Sequence, residues 1–296
     1  MSTLKNKFAP FDDALAGAYE RNLLAALMED IGTGDLTGKL VPEEGRATAR
    51  VIVREEAVLC GAPWFEGVME ALDPSIGIDW HYAEGDLMAA DTPVCTIVGP
   101  ARAILTAERS ALNFMQLMSG VATATRRYVD VIAGTTAAIL DTRKTIPGMR
   151  LAQKYAVRCG GGVNHRMGLY DAVMLKENHI RAAGSLVAAI RHARARHAGL
   201  PLIVEVETLQ QLREALGEGC DRILIDDFDA AARREAVRIA RAAPFDGRIP
   251  LEVSGGVDLD GLRAIAEDGV DCISIGGLTK HVRAIDLSLK LGPPPA

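Results

Sequence analysis

Six short apolar runs in this 296-residue chain each end in residues of different chemistry. Residues 137–140 lead into Asp141, Thr142, Arg143, Lys144 and Thr145, and residues 172–175 into Lys176, Glu177, Asn178 and His179. Residues 202–204 lead into Glu205, Val206 and Glu207, and 222–225 into Asp226 and Asp227. The last two runs, 250–253 and 272–275, end in Ser254-Gly255-Gly256 and Gly276-Gly277. By charge these ends, with the nearby His165-Arg166 pair, fall into three groups. Arg143, Lys144, His165, Arg166 and Lys176 are cationic donors suited to carboxylate or phosphate. Glu205 and Asp226 offer oxygens to ribose hydroxyls or to Mg2+. The two glycine pairs, each ahead of a helical pattern, expose backbone N–H groups of the kind that cup a phosphate. A lone strand end is polar because it meets solvent, and a lone Gly-Gly is usually a tight turn. Six such ends in succession are harder to assign to chance. Together they point to a polyanionic, phosphate-bearing substrate.

These residues meet only if the runs are parallel strands, since parallel βα architectures bring strand C-termini to one rim. Each run is too short for a helix, and amphipathic helical patterns lie between most of them, which implies right-handed βα crossovers. Six strands do not close an eight-stranded barrel. The expected fold class is therefore α/β, with an open or incomplete α/β barrel over residues 109–279, to which 162–165 can add a short strand. Upstream, apolar residues recur at helical steps over 11–30 and strictly alternate at Ala47, Ala49, Val51 and Val53. Further strands are expected at 76–82 and 94–98, with helices near 64–72 and 106–118. Residues 1–108 thus form an N-terminal α+β sandwich domain, and the tail 280–296 can pack on it.

Composition narrows the class. There is no uninterrupted apolar stretch long enough to span a membrane. The net charge of −6 and pI near 5.6 argue against nucleic acid or an anionic membrane surface as partner. Yet residues 141–181 carry a net +5, leaving −11 elsewhere, a local basin suited to a small anion. Cys60, Cys95, Cys159, Cys220 and Cys272 form no C-x-x-C pair, so neither a disulfide framework nor a structural zinc site is signalled. The first residues have neither a secretory nor a transit-peptide character. A reducing, cytoplasmic location is expected.

The stretch from Asp141-Thr142-Arg143-Lys144-Thr145 to Lys154-Tyr155-Ala156-Val157-Arg158-Cys159 and on through Gly160-Gly161-Gly162-Val163-Asn164-His165-Arg166-Met167-Gly168-Leu169 resembles the quinolinate phosphoribosyltransferase family. So do Gly34-Asp35-Leu36-Thr37, Glu108-Arg109-Ser110-Ala111-Leu112-Asn113, Leu175 to Ile180, Glu252 to Gly256 and Leu278-Thr279-Lys280-His281. The resemblance implies a type II phosphoribosyltransferase: a sandwich domain with an open barrel, acting as a dimer or higher homo-oligomer with Mg2+. It implies quinolinate and phosphoribosyl pyrophosphate as substrates and nicotinate mononucleotide, pyrophosphate and CO2 as products, a step of NAD synthesis. Carried over, Arg109, Arg143, His165, Arg166 and Lys176 would bind the two quinolinate carboxylates, with Arg109 entering from the neighbouring subunit, and Thr142 would also bind substrate. Lys144 would lie near the reacting groups and pyrophosphate, and Glu205 and Asp226 would serve ribose and metal. Ser254, Gly255, Gly256, Gly276 and Gly277 would hold the 5′-phosphate. Asp227 and Gly277 depart from the family pattern, where Asn and Ala are more usual. The extra carboxylate either disturbs metal or ribose binding or faces solvent, and the second reading is favoured.

Two other readings compete. Lys176 with nearby carboxylates could equip a Schiff-base aldolase. The chain could also be a non-catalytic phosphate-ligand binder or a molybdenum-associated relative of the same family, against which the intact Arg143-Lys144 and His165-Arg166 pairs argue. The Asp226-Asp227 run resembles half of a type I phosphoribosyltransferase motif but lacks its Thr-Gly loop. His81, His192, His197, Met115 and Met118 read as structural or solvated residues, and His281 with Lys280 is not assigned a role.

Overall fold

The computed structural model describes residues 12–292. The segment 1–11, on which the reading of the N-terminus rests, and residues 293–296 of the tail lie outside the described residues. The chain divides into two compact units. One gathers the chain up to Arg126, Thr145–Gly161 and the chain from Gly277 onward; the other gathers Arg127–Lys144 and Gly162–Gly276.

The first unit is built on a four-stranded antiparallel sheet. Its strands are β1 (Arg46–Val53), β3 (Gly77–Trp80), β5 (Pro93–Pro100) and β12 (Leu287–Leu291), in the order β12-β1-β5-β3. A two-stranded ribbon, β2 (Ala57–Val58) with β4 (Leu87–Met88), accompanies it. The alternation read at Ala47, Ala49, Val51 and Val53 buries those four side chains almost completely, as the two-residue period of a strand requires. The tail contributes β12, which pairs with β1 from Ala49↔Leu291 to Val53↔Leu287.

The helices around this sheet are α1 (Asp13–Ile31), α2 (Ala62–Leu72), α3 (Ala101–Val131), α4 (Arg150–Cys159) and the short α10 (Gly277–Lys280). Helix α1 starts where the Asp12 side chain accepts from the Leu15 N–H and ends at Gly32, with φ 52°. Helix α3 is longer than the patterned stretch at 106–118, so position 108/109 falls inside one continuous helix. Hydrophobic periodicity locates where a helix is amphipathic and not where a domain changes. Met115 and Met118 are wholly buried. The core centres on Trp64, whose ring lies 5.5 Å from both Tyr19 and Tyr155.

Helix α2 begins in an unusual way. Its N-cap is Gly61, with φ 99° and no side chain to offer. Glu84 supplies the cap from a distant loop, accepting from the Gly61 N–H at 2.7 Å and the Ala62 N–H at 3.1 Å. Burial outweighs these two N–H bonds and pushes the Glu84 carboxyl up to about 7. The native state therefore holds this proton more tightly than the unfolded chain does. The corresponding stability is present below the ordinary carboxylate pKa and is lost as pH rises through about 7. In chelator-containing buffer, Glu84→Gln is expected to remove this downward slope from a plot of unfolding free energy against pH. An unchanged slope would show that the proton is held elsewhere.

The second unit is a six-stranded parallel sheet. Its strands are β6 (Ala138–Leu140), β7 (Val173–Leu175), β8 (Leu202–Val206), β9 (Arg222–Asp226), β10 (Leu251–Ser254) and β11 (Cys272–Ser274). They run in the order β6-β11-β10-β9-β8-β7, so β6 and β7 are the edges and the barrel is open. The stretch 162–165 contributes one parallel bridge, Leu140↔Val163. The crossovers are α5 (Glu177–Ala183) with α6 (Leu186–Arg196), α7 (Leu209–Glu218), α8 (Ala230–Arg241) and α9 (Leu259–Glu267). The last four open on Ser185, Thr208, Asp229 and Asp258, each of which accepts an N–H of the first turn. Leu175, Val204, Val206, Ile223, Ile225, Leu251, Val253 and Ile273 fill one face of the sheet and are all buried. That leaves the alternate positions to the other face.

Candidate active site

The alternate positions on β7 to β11 are Met174, Ile203, Glu205, Leu224, Asp226, Glu252, Ser254 and Ser274. Parallel register brings them into rows. Glu205 pairs with Leu224, Leu224 with Glu252 and Glu252 with Cys272, while Asp226 pairs with Ser254. Ala172, Ile203 and Leu224 form a small apolar cluster against which Met174 packs. Above this floor opens a cavity of about 290 Å³. Thr142, Arg143, Lys144, His165, Arg166, Lys176, Glu205 and Ser254 all line it. Residues read from five separate stretches of sequence thus share one space.

A second cavity carries Ser254, Gly255 and Gly256 together with Asp226 and Asp227, and Ser254 lines both. Gly255 and Gly256 have φ 96° and 55°, a region that glycine enters without strain. A Cβ on Gly255 would stand 3.2 Å from an Asp226 carboxylate oxygen. Gly276 lies under Lys144, where a Cβ would stand 2.9 Å from the lysine Cδ. Arg109, exposed on α3, and Gly277, at the start of α10, belong to the first unit.

The polar groups are held by partners. Lys176 Nζ lies 2.8 Å from Glu205 Oε2, an ion pair that a competing anion or metal would have to reorganise. Arg166 donates to the Ala172 carbonyl at 3.1 Å. Its pKa is lowered by desolvation and then by the neighbouring Arg143 guanidinium. Two cations that repel each other are a site ready for an anion. The Asp226 carboxyl is raised by burial and by the Glu205 and Asp227 carboxylates, against the pull of Lys176 and Lys144. Asp227 is exposed, as the favoured reading has it. It also lines the second cavity and adds charge beside Asp226. Its φ of 58° is a conformation that Asn and Asp tolerate better than most residues.

Two polar side chains essential to this geometry, Asp141 and Glu252, were given no role in the reading of strand ends. Asp141 is wholly buried, accepting from the His165 N–H at 2.9 Å and from Asn164 Nδ2 at 2.5 Å. It therefore aims the His165 loop. Glu252 is also wholly buried, with Arg222 at 3.1 Å and His165 Nε2 at 3.4 Å. The Arg166 N–H donates to His165 Nδ1 at 2.7 Å, which leaves the proton of a neutral ring on Nε2, facing Glu252. A signal was available: Glu252 is a charge inside an apolar run, two residues before Ser254, and so on the same strand face.

Lys176 is half exposed and ion-paired with Glu205, unlike the desolvated amine that imine chemistry requires. The geometry favours anion binding over a covalent role for this lysine.

Comparison with known proteins adds independent findings. The family described as "Quinolinate phosphoribosyl transferase, C-terminal domain" matches residues 121–290, and its N-terminal domain matches residues 35–119. The nicotinate-nucleotide pyrophosphorylase (carboxylating) of Mycobacterium leprae is 41% identical over 276 residues, covering 90% of this chain and 94% of that protein. The chloroplastic enzyme of the same name from Arabidopsis thaliana is 38% identical over 287 residues, covering 90% and 80%. Among solved structures, the nicotinate-nucleotide pyrophosphorylase of Francisella tularensis superposes with a TM-score of 0.90 at 44% identity, covering 97% of this chain and 98% of that one.

Proposed function

The chain belongs to the quinolinate phosphoribosyl transferase family, and from that membership we propose that it transfers the phosphoribosyl group of phosphoribosyl pyrophosphate to quinolinate with decarboxylation. The products are nicotinate mononucleotide, pyrophosphate and CO2, and the step serves NAD synthesis in the cytoplasm. The observation that carries the reading is the single cavity uniting Arg143, Lys144, His165, Arg166 and Lys176 over an apolar floor. A flat ring bearing two adjacent carboxylates needs several cations to offset their repulsion and an apolar surface for its faces.

In this assignment Thr142, Arg143, His165, Arg166 and Lys176 orient the diacid so that the ring nitrogen faces the ribose. As pyrophosphate departs with its electron pair, positive charge grows on the ribose. Glu205 and Asp226 stabilise that charge, while Lys144 meets the leaving group. Alkylated, the ring becomes an electron sink. The bond to the carboxylate beside the ring nitrogen then breaks, its electron pair stays on the ring carbon, CO2 departs and that carbon takes a proton. No covalent nucleophile is required. Ser254, Gly255, Gly256, Gly276 and Gly277 hold the 5′-phosphate through backbone N–H groups.

Mg2+ fits the oxygen donors present. Asp226 is held up by burial and by Glu205, a repulsion that a hard divalent cation relieves. Among the described residues no group of three or more carboxylates, histidines or cysteines at ligand distance includes Glu205 or Asp226, so the remaining positions fall to substrate oxygens and water. Bound there, the ion supplies charge neutralisation of the pyrophosphate.

The direct test is incubation of the chain with quinolinate, phosphoribosyl pyrophosphate and Mg2+, with assay of nicotinate mononucleotide and released CO2. Absence of both products from folded protein overturns the proposal. Arg166→Lys is expected to raise the KM for quinolinate about tenfold or more, because lysine cannot replace the planar fork. The KM for phosphoribosyl pyrophosphate should change little; a rise confined to that substrate would move Arg166 to the other half of the site. The proposal extends to a homodimer or higher homo-oligomer with Arg109 supplied across subunits. Mixing inactive Arg109→Ala and Lys144→Ala chains should then restore part of the activity through hybrid dimers. No recovery despite demonstrated subunit exchange would place Arg109 outside the neighbour's site.

A further inference from the structure

Within the first unit, Cys60, Glu84 and Cys159 converge. The two Sγ atoms and a Glu84 carboxylate oxygen all lie within 4.8 Å of one another. Cys60 is fully buried and Cys159 half-buried. The side chain of Tyr155 is near enough for Glu84, Cys159 and Cys60 to raise its hydroxyl pKa after burial has done so.

The segments bearing these groups are pinned to one another. Ser119 Oγ accepts from the Cys60 N–H at 2.9 Å and donates to its carbonyl at 3.0 Å. The Gly85 N–H donates to the Leu59 carbonyl at 2.9 Å. Arg126 donates to the Gly160 carbonyl at 3.2 Å and lies 3.5 Å from the Gly85 carbonyl. The guanidinium therefore fastens the backbone just after Glu84 to the backbone just after Cys159. The Gly61 and Ala62 N–H groups, at the positive end of α2, donate to Glu84.

The need to cap α2 explains Glu84 alone. It does not explain two thiols gathered around the same carboxyl on three rigid segments. We propose that Cys60, Cys159 and Glu84 form a binding site for a thiophilic divalent cation of the Zn2+ class, with Tyr155 or a water on the fourth side. Two sulfurs and one carboxylate are a donor set that zinc accepts. At Zn–S bonds of about 2.3 Å and tetrahedral angles, neighbouring ligand atoms stand about 3.7 Å apart. Modest side-chain rotation brings the observed cluster to that spacing. Two N–H groups already orient the carboxylate, as outer partners do around bound metals. The positive end of α2 offsets part of the net negative charge of a dithiolate-carboxylate complex. On binding, each thiol and the protonated carboxyl gives its proton to solvent and its lone pair to the metal, with no change of oxidation state. The ion would tie the start of α2 to the end of α4.

The test uses the full chain, reduced and stripped by chelator, titrated with Cd2+ as a spectroscopic probe and with Zn2+ against a competing chromogenic chelator. One equivalent should bind, with a thiolate-to-Cd2+ charge-transfer absorption in the ultraviolet and protons released into weakly buffered solution. Cys159→Ser and Cys60→Ser should each abolish the absorption, while Cys220→Ser and Cys272→Ser leave it intact. Glu84→Gln should weaken Zn2+ by about tenfold or more. Cys159, less buried than Cys60, is the variant to rely on if Cys60→Ser lowers the yield of folded chain, with circular dichroism confirming the fold. Absence of the absorption in the parent chain, or its persistence in folded Cys159→Ser, overturns the site.

Discussion

Lys144→Ala is expected to lower kcat by about two to three orders of magnitude while the chain remains folded. The size follows from the proposed chemistry. A positive group aimed at charge that develops only in the transition state contributes about 10²–10³ in rate when it is removed singly. The tolerance of the fold follows from position. Lys144 is exposed at the end of β6, its N–H bonded to Thr142 Oγ1 at 3.0 Å and its stem laid over Gly276. None of the buried rows depends on it. Steady-state rates at saturating quinolinate, phosphoribosyl pyrophosphate and Mg2+, with circular dichroism as the control, measure the effect. A kcat near that of the parent chain removes Lys144 from the leaving-group role.

Glu252→Ala acts on stability. Its carboxylate is wholly buried between Arg222 and His165. Removing it leaves the partly buried Arg222 guanidinium and the His165 Nε2–H without their acceptor, at a cost of about 1–3 kcal/mol. Burial alone would raise this carboxyl, but His165, Ser274 and Arg222 outweigh it and hold it below the ordinary range. The unfolded chain therefore takes up this proton first as pH falls. The stability from Glu252 is full above the ordinary carboxylate pKa and is lost as pH drops through the lowered native value. Urea unfolding near neutral pH measures the loss, and Glu252→Gln should flatten the acid limb attributable to this group. A loss below about 1 kcal/mol would mean that Arg222 and His165 find other partners.

Much of the second unit was legible before any coordinates. The six apolar runs are strands because each is too short for a helix and is bounded by polar residues. Chemistry gathers at their ends because parallel strands expose their C-termini on one rim. The same logic read β1 correctly from four alternating residues. It gave no role to Asp141, one of several polar residues after its run, or to Glu252, since a charge within an apolar run looks like an interruption until pairing shows which face it occupies. The 162–165 stretch forms a bridge at Val163, an outcome set by contact with Leu140 and not by its own composition.

What the string of residues determined by itself is the family, the six parallel strands of the second unit with helices between most of them, and the set of cations and carboxylates available for the reaction. Those depend on local periodicity and on motifs that survive without knowledge of neighbours. Only tertiary structure decided which charges meet: Lys176 with Glu205, Arg166 beside Arg143, His165 turned on Glu252. It also brought two cysteines and a glutamate from distant segments into one buried cluster. Burial and distance govern electrostatics, and both belong to the packed chain, because desolvation and Coulomb energy depend on where a group lies in space and not on where it lies in the sequence.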